Sequence, residues 1–214
     1  MVSLILVMAG SGQRMKKNIN KVLLPLKDKL IYEHSLDKFK KLGFEIICVI
    51  NPKDDIKKLD GITYVDGGRT RSESVYNGLK AATCDYVFIH DAARPFISED
   101  VIKEILNNLK RDEAYLCYLK SVDTLKENTF GKVKTLNRDN IIRAVTPQCA
   151  PRWALTLAYE KAFDEGISVT DDISVLEKFY PRMKVNLVLS NEENFKITTE
   201  FDYKVALSMV NDND

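Results

Sequence analysis

"VSLILVMAGSGQRM", residues 2–15, decides how the chain is read. Its first half, Val2 to Met8, is an aliphatic run short enough to be a buried strand. Its second half, Ala9 to Met15, is a glycine turn that carries an arginine. A buried strand running straight into a glycine turn is how an open α/β sheet presents its carboxyl edge, where such sheets bind ligands.

The same rhythm continues downstream. Apolar runs of strand length recur at Glu45 to Ile50, Ile62 to Val65, Asp85 to His90, Ala114 to Leu119 and Val185 to Leu189. Helical patterns lie between most of them. "IYEHSLDKFKKLG" gathers Ile31, Ser35, Leu36, Phe39 and Leu42 near one face and stops at Gly43, a residue suited to the left-handed terminating position. "SEDVIKEILNNLK" has Ser98 as its N-cap and Val101, Ile102, Ile105, Leu106 and Leu109 as its buried stripe. Alternating strand and helix predicts an α/β fold with a mostly parallel sheet and helices on both faces.

Lys120 to Arg143 breaks the pattern. The stretch is polar, turns around "ENTFGK", and predicts a protruding β-hairpin arm at about 120–143 without a core of its own. Such a hairpin is marginal in isolation, so it lies either on a second subunit or on its own domain.

The totals narrow the function. With 214 residues the chain suits one domain, 1–214, arm included. Lys and Arg total 32 against 31 Asp and Glu, which gives no global basic excess for nucleic acid, so an anion site must be local. The opening residues carry no basic leader pattern, and no apolar stretch nears the ~20 residues of a membrane span. A soluble, cytoplasmic protein with no membrane partner is expected. Cys48, Cys84, Cys117 and Cys149 are scattered without a CxxC pair, and Cys48 and Cys117 read as core fillers.

Three phosphate-binding readings compete for residues 9–15. The P-loop spacing is absent, and the dinucleotide fingerprint fails because Met15 stands where a third glycine is needed. In the third, Gly10 and Gly12 let backbone N–H groups approach a triphosphate while Arg14, with Lys21 shortly after, supplies fixed positive charge. An ordinary turn with solvated basic residues is the alternative.

Other segments strengthen the third reading. In "DGGRTRSESV", residues 66–75, Gly67, Gly68 and Ser74 suit close approach to a base edge, with a capped turn as the alternative. "FIHDAARPF", residues 88–96, ends a strand in Asp91 with Arg94 three residues on, a pair suited to hydroxyls, metal or phosphate, or merely to each other. His90 reads as a supporting group and His34 as a packing residue. "TPQCAPR" reads as a rigid turn that sets Arg152 at the start of the helix "WALTLAYEKAF". Thr170 reads as the N-cap of the helix in "TDDISVLE", its two acids explained by helix electrostatics, and "NFKIT" puts Lys196 in a short strand.

Taken in order, "AGSGQRM", Lys21, "DGGRTRSESV", "HDAARPF", "VDT", "TPQ", "TDD" and "NFKIT" resemble the 2-C-methyl-D-erythritol 4-phosphate cytidylyltransferase family over almost the whole chain. The resemblance implies a Rossmann-like nucleotidyltransferase fold and transfer of CMP from CTP to a polyol phosphate, with magnesium on the triphosphate. It implies that Arg14, Lys21 and Lys196 stabilise transition-state charge and that Gly10 and Gly12 cradle the triphosphate. Ala9, Gly67 and Ser74 would select cytosine, with Ala92 against the ribose. Asp91, with Arg94 beside it, would bind the acceptor hydroxyls. The family's arm exchanges between two subunits, so a homodimer is implied, with Thr124 and Arg152 reaching the neighbour's substrate. The chain departs from the family where Asn20, Lys21 and Val22 replace Pro-Lys-Gln, at Met8, and at Arg69. A ribitol 5-phosphate cytidylyltransferase, a non-catalytic nucleotide-binding module and a dinucleotide oxidoreductase are the competing functions.

Overall fold

The computed structural model describes residues 1–10 and 19–211. The strands are β1 (Val2–Val7), β2 (Pro25–Leu26), β3 (Lys29–Leu30), β4 (Glu45–Ile50), β5 (Ile62–Asp66), β6 (Tyr86–Asp91), β7 (Ala114–Lys120), β8 (Lys126–Thr129), β9 (Lys132–Thr135), β10 (Ile142–Pro151) and β11 (Val185–Leu189). The helices are α1 (Ile31–Lys41), α2 (Arg71–Ala81), α3 (Glu99–Asn108), α4 (Arg152–Asp164), α5 (Asp172–Phe179) and α6 (Glu200–Asn211). Seven strands form one sheet in the order β11-β7-β10-β6-β1-β4-β5.

All the neighbouring pairs in it are parallel except those of β10, which runs antiparallel to both β6 and β7. Side chains of a strand alternate between the faces. Leu4, Leu6 and Met8 therefore join a core with Tyr32, Leu36 and Phe39 of α1 and Ile102 and Ile105 of α3. Ile5 points the other way, into a core with Val75 and Leu79 of α2, Leu155, Ala158 and Tyr159 of α4, and Ile173 and Leu176 of α5. Each face of the sheet is thus covered by helices, as the alternation predicts. Cys48 and Cys117 are buried in the first core.

Local chemistry sets the helix ends. Gly43, at φ 77°, terminates α1. The Ser98 hydroxyl accepts the Val101 N–H at 3.2 Å and caps α3. Two expectations are corrected. Asp171, not Thr170, caps α5, because the Asp171 carboxylate accepts the Ser174 N–H at 2.8 Å. Lys196 lies in an extended connection outside any strand, held where Ile197 N–H donates to Ala93 O at 2.9 Å.

A third correction concerns "TPQCAP". It is the inner half of β10, a strand of 10 residues with a bulge between Ala144 and Gln148, and not a turn. Because β10 runs antiparallel, it carries the chain from the carboxyl edge of the parallel strands back to their amino edge. The hairpin of β8 and β9, turned through Phe130 and Gly131 at φ 49° and 83°, leaves from the ends of β7 and β10 at the carboxyl edge. Its strand residues are all exposed, as are Val122, Phe130 and Val133, so it is not packed on its own domain.

Candidate active site

Chain order makes the cleft. From β1 the sheet grows outward through β4 and β5, and then the chain returns to place β6 on the other side of β1. The ends of β1 and β6 therefore diverge, and open α/β sheets bind ligands at such a switch point. A cleft of about 540 Å³ opens there, lined by Val7 to Gly10, Asn51 and Pro52, Gly67 to Arg71, Ser74, Asp91 and Ala93. Asn20 to Val22 and Lys196 with Thr198 complete the wall. Lysines from near both ends of the chain, Lys21 and Lys196, thus share one cleft.

Ala9, Gly10, Gly67, Ser74 and Asp91 all line it. Gly12 and Arg14 lie outside the described residues. Gly67 must be glycine for a packing reason, since a Cβ there would overlap the Ala9 methyl and press on Ser74 Oγ at 3.1 Å and Ile50 O at 3.3 Å. Ser74 Oγ donates to Thr70 O at 2.8 Å and accepts Gly68 N–H at 3.1 Å, so its hydroxyl shapes the loop. Asn20 replaces a rigid approach to Lys21 with hydrogen bonds. Its Nδ2 donates to Met8 O and to Asp54 Oδ2, both at 2.7 Å.

Asp91 is the electrostatic centre. Its Oδ1 accepts Arg71 Nε–H at 3.2 Å, its Oδ2 accepts Lys196 Nζ–H at 2.9 Å, and Arg94 Nε stands 3.7 Å from Oδ2. Burial alone would raise its pKa, but the charges of Arg71, Lys196 and Arg94 outweigh burial and hold the carboxyl well below the usual range. Arg94 is turned away from the cleft, donating from Nη1 to Asn194 O at 2.8 Å. Burial lowers its pKa against the opposing pull of Asp91.

His90 supports this turn, as expected. The Asp91 N–H donates to Thr146 Oγ1 at 3.1 Å, so the hydroxyl proton is available to His90 Nδ1, also 3.1 Å away. His90 Nε2–H then donates to Arg94 O at 3.1 Å. Neutral imidazole fits this chain, and burial, the largest influence, lowers the His90 pKa to about 4. His34 packs at the surface of α1, with Nε2 2.8 Å from Leu26 O.

Two expected site residues do not line the cleft. Ala92 is wholly enclosed in the core, and Ala93 faces the cleft in its place. Arg152 sits at the amino edge of the sheet, where its Nε donates to Cys84 O at 3.0 Å, across the sheet from the cleft and outside the arm. Thr124 is exposed in the arm. The arm carries its own exposed arginine, Arg138, whose Nη1 donates to Val122 O at 3.1 Å. Arg71 is the main residue missed in the sequence. It lines the cleft and joins Asp91 to Asp172, 101 positions away.

A model of the 2-C-methyl-D-erythritol 4-phosphate cytidylyltransferase family matches residues 2–212. The chain belongs to this family. A 2-C-methyl-D-erythritol 4-phosphate cytidylyltransferase of Clostridium novyi is 37% identical over 222 residues, spanning 96% of this chain and 95% of its own. One from Clostridioides difficile is 33% identical and spans 99% and 94%. Among solved structures, 4-diphosphocytidyl-2C-methyl-D-erythritol synthase of Anaerococcus prevotii superposes with a TM-score of 0.87 at 31% identity, covering 99% of this chain and 96% of that one. The Francisella tularensis cytidylyltransferase superposes at 0.81 with 32% identity, covering 96% and 97%. The family's fold is therefore the fold of this chain, and its members are nucleotidyltransferases.

Proposed function

We propose that the chain transfers CMP from CTP to 2-C-methyl-D-erythritol 4-phosphate, releasing diphosphate, as a step of non-mevalonate isoprenoid precursor synthesis. The observation that carries this reading is the convergence of Lys21 and Lys196 on one cleft that the small residues Ala9, Gly10 and Gly67 and the carboxylate of Asp91 also line. An acceptor phosphate oxygen is already anionic, so it attacks the α-phosphorus without a general base. The new P–O bond forms as the bond to the bridging oxygen breaks, and diphosphate leaves with that electron pair. Catalysis is then positioning and charge stabilisation. Lys21, Lys196 and Arg14 would stabilise charge on the phosphoryl oxygens, and Gly10 and Gly12 would face the triphosphate. Asp91, with Arg94 fixing its turn, would take the acceptor hydroxyls.

Among the described residues no three His, Cys, Asp or Glu converge as a metal site, and Asp91 is already met by three cations. These residues do not make a magnesium cage. Magnesium would arrive on the oxygens of the triphosphate, and no step above is routed through it. We also propose a homodimer in which the exposed arm brings Thr124, with Arg138 in place of Arg152, to the neighbouring cleft. No described helix is long and apolar enough to cross a membrane, and the four cysteines are unpaired, which supports a cytoplasmic setting.

Diphosphate release with CTP, magnesium and either acceptor tests the assignment. Faster turnover of 2-C-methyl-D-erythritol 4-phosphate is expected. Faster turnover of ribitol 5-phosphate would overturn it.

A further inference from the structure

Tyr159 and Asp172 have no part in the reaction as written above, yet both are buried polar groups pointed at its centre. Tyr159 lies on α4 and Asp172 opens α5, on the side of the sheet away from α1 and α3. Tyr159 Oη donates to Asp172 Oδ1 at 2.6 Å. Asp172 accepts both ends of the Arg71 guanidinium, Nη1 on Oδ1 at 3.0 Å and Nη2 on Oδ2 at 2.8 Å. The remaining nitrogen of Arg71, Nε, donates to Asp91 Oδ1. Gln148 of β10 locks the start of the helix, its Oε1 accepting the N–H groups of Asp172 and Ile173 at 2.9 Å and its Nε2 donating to Asp171 Oδ2 at 2.9 Å.

The geometry has a mechanical meaning. A guanidinium held to a carboxylate by one Nε–H alone can pivot about that bond. A two-point fork on a second carboxylate fixes its plane. The second carboxylate must itself be immobile, and burying an anion is costly unless every lone pair is met. The Arg71 fork and the Tyr159 hydroxyl give its oxygens three donors, and the Gln148 lock holds its backbone in place. We propose that Asp172, steadied by Tyr159, is a positioning residue that fixes Arg71 against Asp91, so that α4 and α5 set the orientation in which Asp91 meets the acceptor hydroxyls.

The inference rests on Asp91 as the acceptor-binding carboxylate, so the test carries Asp91→Asn as its reference. Tyr159→Phe removes one hydroxyl and keeps the ring, and Asp172→Asn removes the charge. Each is assayed for acceptor KM, CTP KM, kcat and thermal midpoint. The expected result for Tyr159→Phe is an acceptor KM raised about threefold to tenfold with CTP KM unchanged, and no further rise when it is added to Asp91→Asn. Asp172→Asn moves the same parameter further. Should Asp172→Asn fail to fold, Tyr159→Phe decides alone. An acceptor KM raised by Asp91→Asn but untouched by Tyr159→Phe, whatever the change in thermal midpoint, overturns the inference and leaves the Asp91 reading standing. An acceptor KM untouched by Asp91→Asn overturns that reading and the inference with it.

Discussion

Replacing Gly67 with alanine tests whether close packing at the end of β5 shapes the nucleotide cleft. The added methyl would fall deep inside the contact distance of the Ala9 methyl, which has no rotamer by which to retreat. On its other sides stand Ser74 Oγ at 3.1 Å and the backbone oxygen of Ile50 at 3.3 Å, and Gly67 N–H already donates to that oxygen at 2.7 Å. One of the two loops must therefore move, by on the order of 1 Å to restore a contact of about 3.5 Å. Overpacking of this kind costs about 1–3 kcal/mol, or roughly 2–12 °C of thermal midpoint in a chain of this size. A displacement of about 1 Å in a positioning site costs up to about 10²-fold in rate. The assay is thermal unfolding paired with diphosphate release at varied CTP. Gly43→Ala is the control, because its methyl meets open space but its φ of 77° costs a residue with a side chain about 1–2 kcal/mol, at the opposite edge of the sheet. Gly67→Ala should lose both stability and kcat/KM for CTP, and Gly43→Ala stability alone. Unchanged kcat/KM in Gly67→Ala would refute the packing argument.

The remaining predictions separate the other parts of the site. Arg152→Ala should cost about 1 kcal/mol through the lost bond to Cys84 O and leave acceptor KM unchanged, since it lies across the sheet from the cleft; a raised acceptor KM would restore it to the site. His90 is neutral and buried, with its pKa lowered to about 4 against about 6.5 in an unfolded chain. The unfolded state thus takes up a proton that the native state refuses, and stability should fall as pH drops from about 6.5 and level off near 4, by at most about 3 kcal/mol. Chemical denaturation across that range should show a limb that His90→Gln flattens, and an identical limb in the variant would count against the assignment. Lys120 pairs with Ile142, so a short turn can replace residues 121–141. The shortened chain should keep its thermal midpoint, sediment as a monomer and release no diphosphate; an active monomer would defeat the proposed role of the arm.

How far the sequence discloses this site depends on what each strand must satisfy. β1, β4, β6 and β7 are read from aliphatic runs because apolar side chains are what their two covered faces require. β10 is equally buried along Val145 to Pro151, yet its sequence is Thr, Pro, Gln and Cys as much as aliphatic. Its polar side chains are consumed by partners: Thr146 by His90 and Asp91, and Gln148 by the start of α5. A strand whose buried groups are paired polar atoms gives no apolar signal. The role that the resemblance implies for Arg152 meets the same strand, because an antiparallel β10 carries that residue to the amino edge of the sheet, away from the cleft. Arg71 gives no such signal for another reason, since its partners stand 20 and 101 positions along the chain and no spacing rule reaches them.

The cleft also explains how a nearly neutral chain concentrates positive charge. Arg71, Arg94 and Lys196 all approach one carboxylate, and three cations held that close would repel one another strongly in a low-dielectric pocket. Asp91 supplies the counter-charge that lets them be assembled before any phosphate arrives, and Asp172 does the same for Arg71 from behind. The two carboxylates leave a surplus of one positive charge among these five groups, and Lys21 lines the same cleft. An incoming phosphate therefore meets donors already in place, and need not gather them from solvent, which is the condition under which fixed charges contribute most to a phosphoryl transfer. Asp91 thus has two duties that do not conflict. Each of its oxygens has more than one lone pair, so it can retain Arg71 on Oδ1 and still accept an acceptor hydroxyl on the open side of the cleft.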